Sequence, residues 1–103
     1  MAIAHISEFE PGADRTTTNY DAVSRRLALD EDPADGLILH AAGFSGGTFR
    51  MVEIWESAEH LERFERERLL PAVRELVGAA ASAPTSESYE LHNLVAPGAV
   101  PAR

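Results

Sequence analysis

Two apolar runs facing each other across a glycine-rich turn constrain this chain more than anything else in it. Gly36-Leu37-Ile38-Leu39-His40-Ala41-Ala42 is almost continuously apolar, and Thr48–Trp55 answers it with Phe49, Met51, Val52, Ile54 and Trp55. The segment between them, Gly43-Phe44-Ser45-Gly46-Gly47, is a hairpin loop, so the two runs predict paired strands. A strand that shows one face to water alternates apolar and polar residues. These do not, and both of their faces must be covered.

The elements around the hairpin set the layers. Ala2–Phe9 carries Ile3, Ile6 and Phe9 and ends at Glu10-Pro11-Gly12, which predicts a strand and a turn. Tyr20, Val23, Leu27 and Ala28 recur at helical spacing, and the helix must stop before Pro33. Ser57 has the chemistry of an N-cap for a second helix, with Leu61, Phe64, Leu69, Val73 and Leu76 along one side. Pro71 falls inside that pattern and predicts a kink or a fresh helical start. Gly78 to Thr85 reads as a linker and Ser86–Val95 as a last strand, with Tyr89, Leu91, Asn93 and Val95 on one side. Ala96–Arg103 reads as a flexible C-terminal tail, leaving residues 1–95 as a single domain.

The order βαββαβ is that of the ferredoxin-like α+β fold, a four-stranded antiparallel sheet with both helices on one face. Two helices cover only that face. The apolar residues on the other side therefore predict face-to-face packing of two copies, a homodimer.

Composition narrows the function. The chain has 103 residues, no cysteine, 9 bases against 17 acids and a net charge of −8. Disulfides, thiolate metal sites and thiol nucleophiles are excluded, and the charge argues against nucleic acid or an anionic membrane as partner. All the bases are Arg, so no Schiff-base or P-loop lysine is present. No stretch is long and apolar enough to span a membrane, and the N-terminal residues lack the basic region of a signal peptide, so a cytoplasmic protein is expected. No dinucleotide fingerprint or metal-binding spacing appears among His5, His40, His60 and His92. Chemistry without metal or cofactor is the expectation.

The segments Gly36–Gly43, Phe49-Arg-Met-Val-Glu53-Ile-Trp55-Glu-Ser57, Leu61-x-x-Phe64 and Leu70-Pro71-Ala72 resemble the dimeric α+β-barrel superfamily, and within it the antibiotic-biosynthesis-monooxygenase-like proteins. The resemblance implies a homodimeric barrel with a small-molecule pocket between each sheet and its own helices. Members range over cofactor-independent oxygenases, heme-degrading enzymes, cyclases, isomerases and proteins without known activity, so the pocket must decide. The heme-degrading members carry a histidine where this chain has Glu65-Arg66-Glu67-Arg68, which disfavours heme.

His40 and Glu53 are the polar residues that interrupt the apolar strands, and each needs a partner or a cavity. A hairpin pairing residue 40 with 51 and 38 with 53 puts His40, Met51, Glu53 and Trp55 on one face, which the resemblance identifies as the pocket side. On that reading His40 is a general base oriented by Glu53, while Trp55 and Met51 line the ligand. Phe44 sits in a loop able to close over it, and Tyr89 and Asn93 supply hydrogen bonds. The competing reading makes His40 a satisfied core or interface histidine, Glu53 a partner of Arg50 or a first-helix arginine, and Trp55 an ordinary core residue. The expected function is a cofactor-independent monooxygenase or cyclase acting on a polyketide-like or phenolic compound, the alternative a non-catalytic ligand-binding or orphan dimer. An enzyme or binder needs a pocket of roughly 300 Å³ or more, whereas an orphan has a filled interior.

Overall fold

A computed structural model describes residues 1–9, 17–78 and 84–97. The elements run β1 (Ile3–Phe9), α1 (Thr18–Leu27), β2 (Leu37–Ser45), β3 (Thr48–Trp55), α2 (Ala58–Phe64), a π-helical turn (Glu65–Leu69), α3 (Leu70–Leu76) and β4 (Thr85–Glu90). The strands form one antiparallel sheet in the order β2-β3-β1-β4, the ferredoxin-like α+β arrangement. The expected turn at Glu10-Pro11-Gly12, the interior of the linker (residues 79–83) and most of the tail (98–103) lie outside the described residues.

Several boundaries differ from expectation, each for a local reason. β2 runs through Gly43 and Phe44 to Ser45, which pairs with Thr48, so the hairpin closes in the two residues Gly46-Gly47. Gly46 takes φ of 62°, the left-handed region that such a turn demands. Phe44 therefore belongs to a strand, not to a loop. β4 stops at Glu90, short of the expected Val95, because Glu90 already pairs with Ile3 at the start of β1. One further bond, from the Leu91 amide to the Ala2 carbonyl, exhausts the neighbour.

The second helix keeps its path through Pro71 by widening. A proline at that position cannot donate and crowds the carbonyl of Glu67. The turn ahead of it opens to π geometry, with the Leu70 amide bonding the Glu65 carbonyl, and α3 restarts with Pro71 in its first turn. At the other end, the Ser57 hydroxyl accepts from the His60 amide at 3.2 Å and caps α2.

The packed core lies where Ile3, Trp55, Leu61, Phe64 and Ala34 meet, with Leu27, Leu29, Leu37 and Leu69 around them. Trp55 is wholly buried, its ring 5.2 Å from that of Phe64. Gly36 enters β2 at φ +87° with the His60 ring against its α-carbon, where a side chain would collide, so only glycine fits. Arg68 ties the layers together by donating to the Leu27 and Asp32 carbonyls at 3.0 and 2.9 Å. On the sheet's other face Leu39 and Tyr89 are 47% and 49% exposed, flanked by half-buried Ile6, Val52 and Ile54.

Candidate functional site

One transverse row of the sheet carries almost all the interior polarity. His40 on β2 pairs with Glu53 on β3, Glu53 with His5 on β1, and His5 with Ser88 on β4. Because Trp55 and Ile3 of the next row enter the core, alternation puts this row on the helix-facing side as well. The hairpin register differs from the expected pairing by two residues: His40 lies opposite Glu53, and Ala42 opposite Met51. A two-residue shift preserves which face each side chain takes, and it brings His40 and Glu53 directly abreast. The ladder is irregular between Leu37 and Leu39, where Trp55 pairs with Leu37.

The row is hydrogen-bonded end to end on the β2 side. His40 Nδ1 lies 2.7 Å from Glu53 Oε2, and the Trp55 indole donates to Glu53 Oε1 at 3.0 Å. The Tyr20 hydroxyl, from α1, lies 2.7 Å from His40 Nε2. Burial raises the Tyr20 pKa, and the nearby Glu53 charge raises it further against a hydrogen bond with Ser24. Tyr20 is therefore a phenol at neutral pH and donates, leaving Nδ1–H of His40 to donate to the carboxylate. Burial pushes Glu53 upward too, but the hydrogen bonds from His40 and Trp55 and the charges of His40 and His5 outweigh it. Its pKa is lowered and it stays ionised. Arg50, the expected alternative partner, is taken by Glu8 at 3.1 Å.

A second group stands at the β1 end. His5 Nδ1 is 2.6 Å from the Ser88 hydroxyl, while Nε2 is 3.3 Å from the Ser7 hydroxyl and 4.0 Å from Glu65 Oε2 on the π-helical turn. Glu65 is raised, by burial first and then by Glu53 and Glu62, with His5 opposing. Among the described residues no buried side-chain polar atom lacks a partner.

The expected ligand-lining residues divide. Met51 shares the face of Glu53 one step along β3, and Phe44 packs its ring 5.1 Å from Phe49, which in turn meets Tyr20 edge-on at 5.0 Å. Trp55 is too deep to stack on a ligand; its indole holds Glu53 instead. Tyr89 pairs with Ala4 and so lies on the opposite face of the sheet, and Asn93 lies past the end of β4. Neither joins the row. Tyr20, His5, Ser7, Ser88 and Glu65 are the members that sequence reasoning missed. Only His5, a histidine between Ile3 and Ser7 in a strand, left a trace there.

Ala42 and Phe44, on the same side of β2 as His40, are exposed, which opens a flank to the row. The two best-formed depressions among the described residues, of about 230 and 240 Å³, lie elsewhere. One is framed by Ala34, His60, Arg63 and Phe64, the other by Arg26, Asp32 and Pro71. No group of three or more potential metal ligands occurs among the described residues. No described helix is long and apolar enough to cross a membrane.

No protein-family model and no curated protein sequence matches the chain. Solved structures do. The protein Rv0793 of Mycobacterium tuberculosis superposes with a TM-score of 0.69 at 15% identity, over 91% of this chain and 98% of that one. A candidate antibiotic biosynthesis monooxygenase from Bordetella bronchiseptica gives 0.65 at 19% identity, over 87% and 96%. SnoaB of Streptomyces nogalater, a cofactor-independent oxygenase, gives 0.65 at 13% identity, over 91% and 96%. The chain shares the fold of these proteins.

Proposed function

We propose that this protein is a cofactor-independent oxygenase of phenolic or enolic, polyketide-like compounds. The observation that carries the reading is the Tyr20–His40–Glu53–Trp55 chain, two 2.7 Å contacts and one of 3.0 Å beside an exposed flank of the sheet. Glu53 fixes the tautomer of His40 and favours the imidazolium that proton uptake creates, and Trp55 fixes Glu53. The Tyr20 hydroxyl stands at the accepting nitrogen. It passes a ligand proton to His40 as it gives up its own, so Tyr20 is the contact group and His40 the base behind it. The resulting phenolate, flanked by Phe44, Phe49 and Met51, is then the electron-rich partner for dioxygen. The fold shared with SnoaB supports the reaction class.

The test is oxygen uptake and quinone formation from a panel of hydroxynaphthalenes and hydroxyanthracenes. His40→Ala should slow turnover about 100-fold, the usual scale for a lost general base, with folding retained. Binding of these compounds with no oxygen uptake by the wild-type protein would refute the oxygenase.

A non-catalytic dimer of the same fold is the second reading. It is favoured by one observation, that the best-formed depressions are small and do not open on His40. In both readings we assign the exposed apolar face around Leu39, Ile54 and Tyr89 to a homodimer, and the protein to the cytoplasm. Light scattering at micromolar concentration should return twice the chain mass; a stable monomer refutes the assignment.

A further inference from the structure

The His40 end of the polar row takes a proton, but an oxygenation must also return protons. The row has a second end, at His5 and Ser88. His5 is two strands from His40, on the order of 10 Å across the sheet, with the Glu53 carboxylate between them. Its ring is held on one side by Ser88 and turns Nε2 toward Ser7, in the row that Met51 and Ala42 continue toward the exposed flank. Behind it stands Glu65, presented by the one π-helical turn in the described chain. Such turns are frequent at functional sites, and this one breaks helical register where its carboxylate meets the sheet.

We infer that His5, backed by Glu65, is a second proton station of the same site, delivering protons to the oxygen that the Tyr20–His40 end makes reactive. The inference rests on the oxygenase reading. The phenol O–H proton leaves through Tyr20 to His40. A ring carbon of the phenolate bonds dioxygen, which is reduced to a peroxide by two ring electrons, and the peroxide takes a proton from the His5 side. Loss of the proton on that carbon to the His40 end then breaks the O–O bond. The carbon–oxygen bond becomes a carbonyl, and the departing hydroxide takes a second proton from His5 and leaves as water. Two protons go in at one end and two come out at the other, giving quinone and water from phenol and dioxygen. Each station carries one proton at a time, so between the two transfers His40 passes its proton to solvent and His5 takes one up from Glu65 or solvent.

The charged groups facing this station are Glu65 on the π turn, Glu53 on β3 and Glu62 on α2. Burial raises the Glu65 pKa, His5 opposes it, and the carboxylates of Glu53 and Glu62 add to the rise.

The test uses the wild-type protein, His5→Gln and Glu65→Gln. His5→Gln should lower kcat about 100-fold and Glu65→Gln about 10-fold. Glu65→Gln should also displace the alkaline limb of the kcat–pH profile, where a proton donor is lost, leaving the acid limb set at the His40 end in place. A merely structural role moves neither limb. Superposable profiles for wild type and Glu65→Gln overturn the station and leave the oxygenase intact. Absence of oxygen uptake by the wild-type protein refutes the oxygenase and overturns the station with it.

Discussion

Two adjacent rows of the same sheet face are built on opposite terms. The row of Ile3 and Trp55 meets Leu61, Phe64 and Ala34 and contains nothing that titrates. The next row, His40, Glu53, His5 and Ser88, is polar throughout on the same helix-facing side, and only its Ser88 end is exposed. Packing alone explains the first. The second is expensive for a small protein, because every polar atom taken from water must find a partner. Local rules of folding are most often broken at functional sites, and that is the ground on which the proposed chemistry is placed in this row. The rows touch at Trp55, whose ring belongs to the core and whose N–H belongs to the polar layer.

Breaking that junction should have the largest effect. Trp55→Ala removes a wholly buried ring and the second hydrogen bond of Glu53, and should cost about 3–5 kcal/mol in denaturant unfolding. If the loss is below 1 kcal/mol, the two rows are not joined as described. His40→Ala, by contrast, should cost turnover while leaving the core row standing.

A smaller effect distinguishes the two carboxylates inside the polar layer. Glu53 is lowered from 4.5 in the folded protein, so the unfolded chain binds its proton first as acid is added. The stability it contributes is present above about pH 4.5 and is lost as the pH falls through its lowered value. Glu65 has the opposite sign. Its raised value means the folded state holds the proton longer, so its contribution declines as the pH rises from 4.5 through that raised value. Thermal melts across pH 3–8 should show Glu65→Gln more stable than wild type at neutral pH, with the difference vanishing in acid. They should show Glu53→Gln less sensitive to acid than wild type. Parallel curves for both variants would mean that the two groups share one environment after all.

Much of the frame was legible from residue order and spacing. The βαββαβ succession, the apolar hairpin and the break at Pro71 follow from periodicity and backbone chemistry, which act over a few residues. The pairing of His40 with Glu53 on one face was legible for the same reason: strand alternation has period two, and a two-residue error in register leaves it untouched. Trp55 stayed open between ligand wall and core residue in the sequence, because burial depth depends on what α2 brings down upon it. Tyr89 was misplaced because its face is fixed by where β4 docks on β1, a contact some eighty residues apart in the chain.

The sequence by itself determined which elements form and which strand residues share a side, since those depend on dihedral preferences and local alternation. Only the tertiary structure decided that Tyr20 of α1 meets the free nitrogen of His40, and that Ser88 and Glu65 close around His5. Those contacts join side chains from five separate elements, and no periodicity encodes them. They exist because sheet order and helix docking leave each buried polar atom one partner within reach.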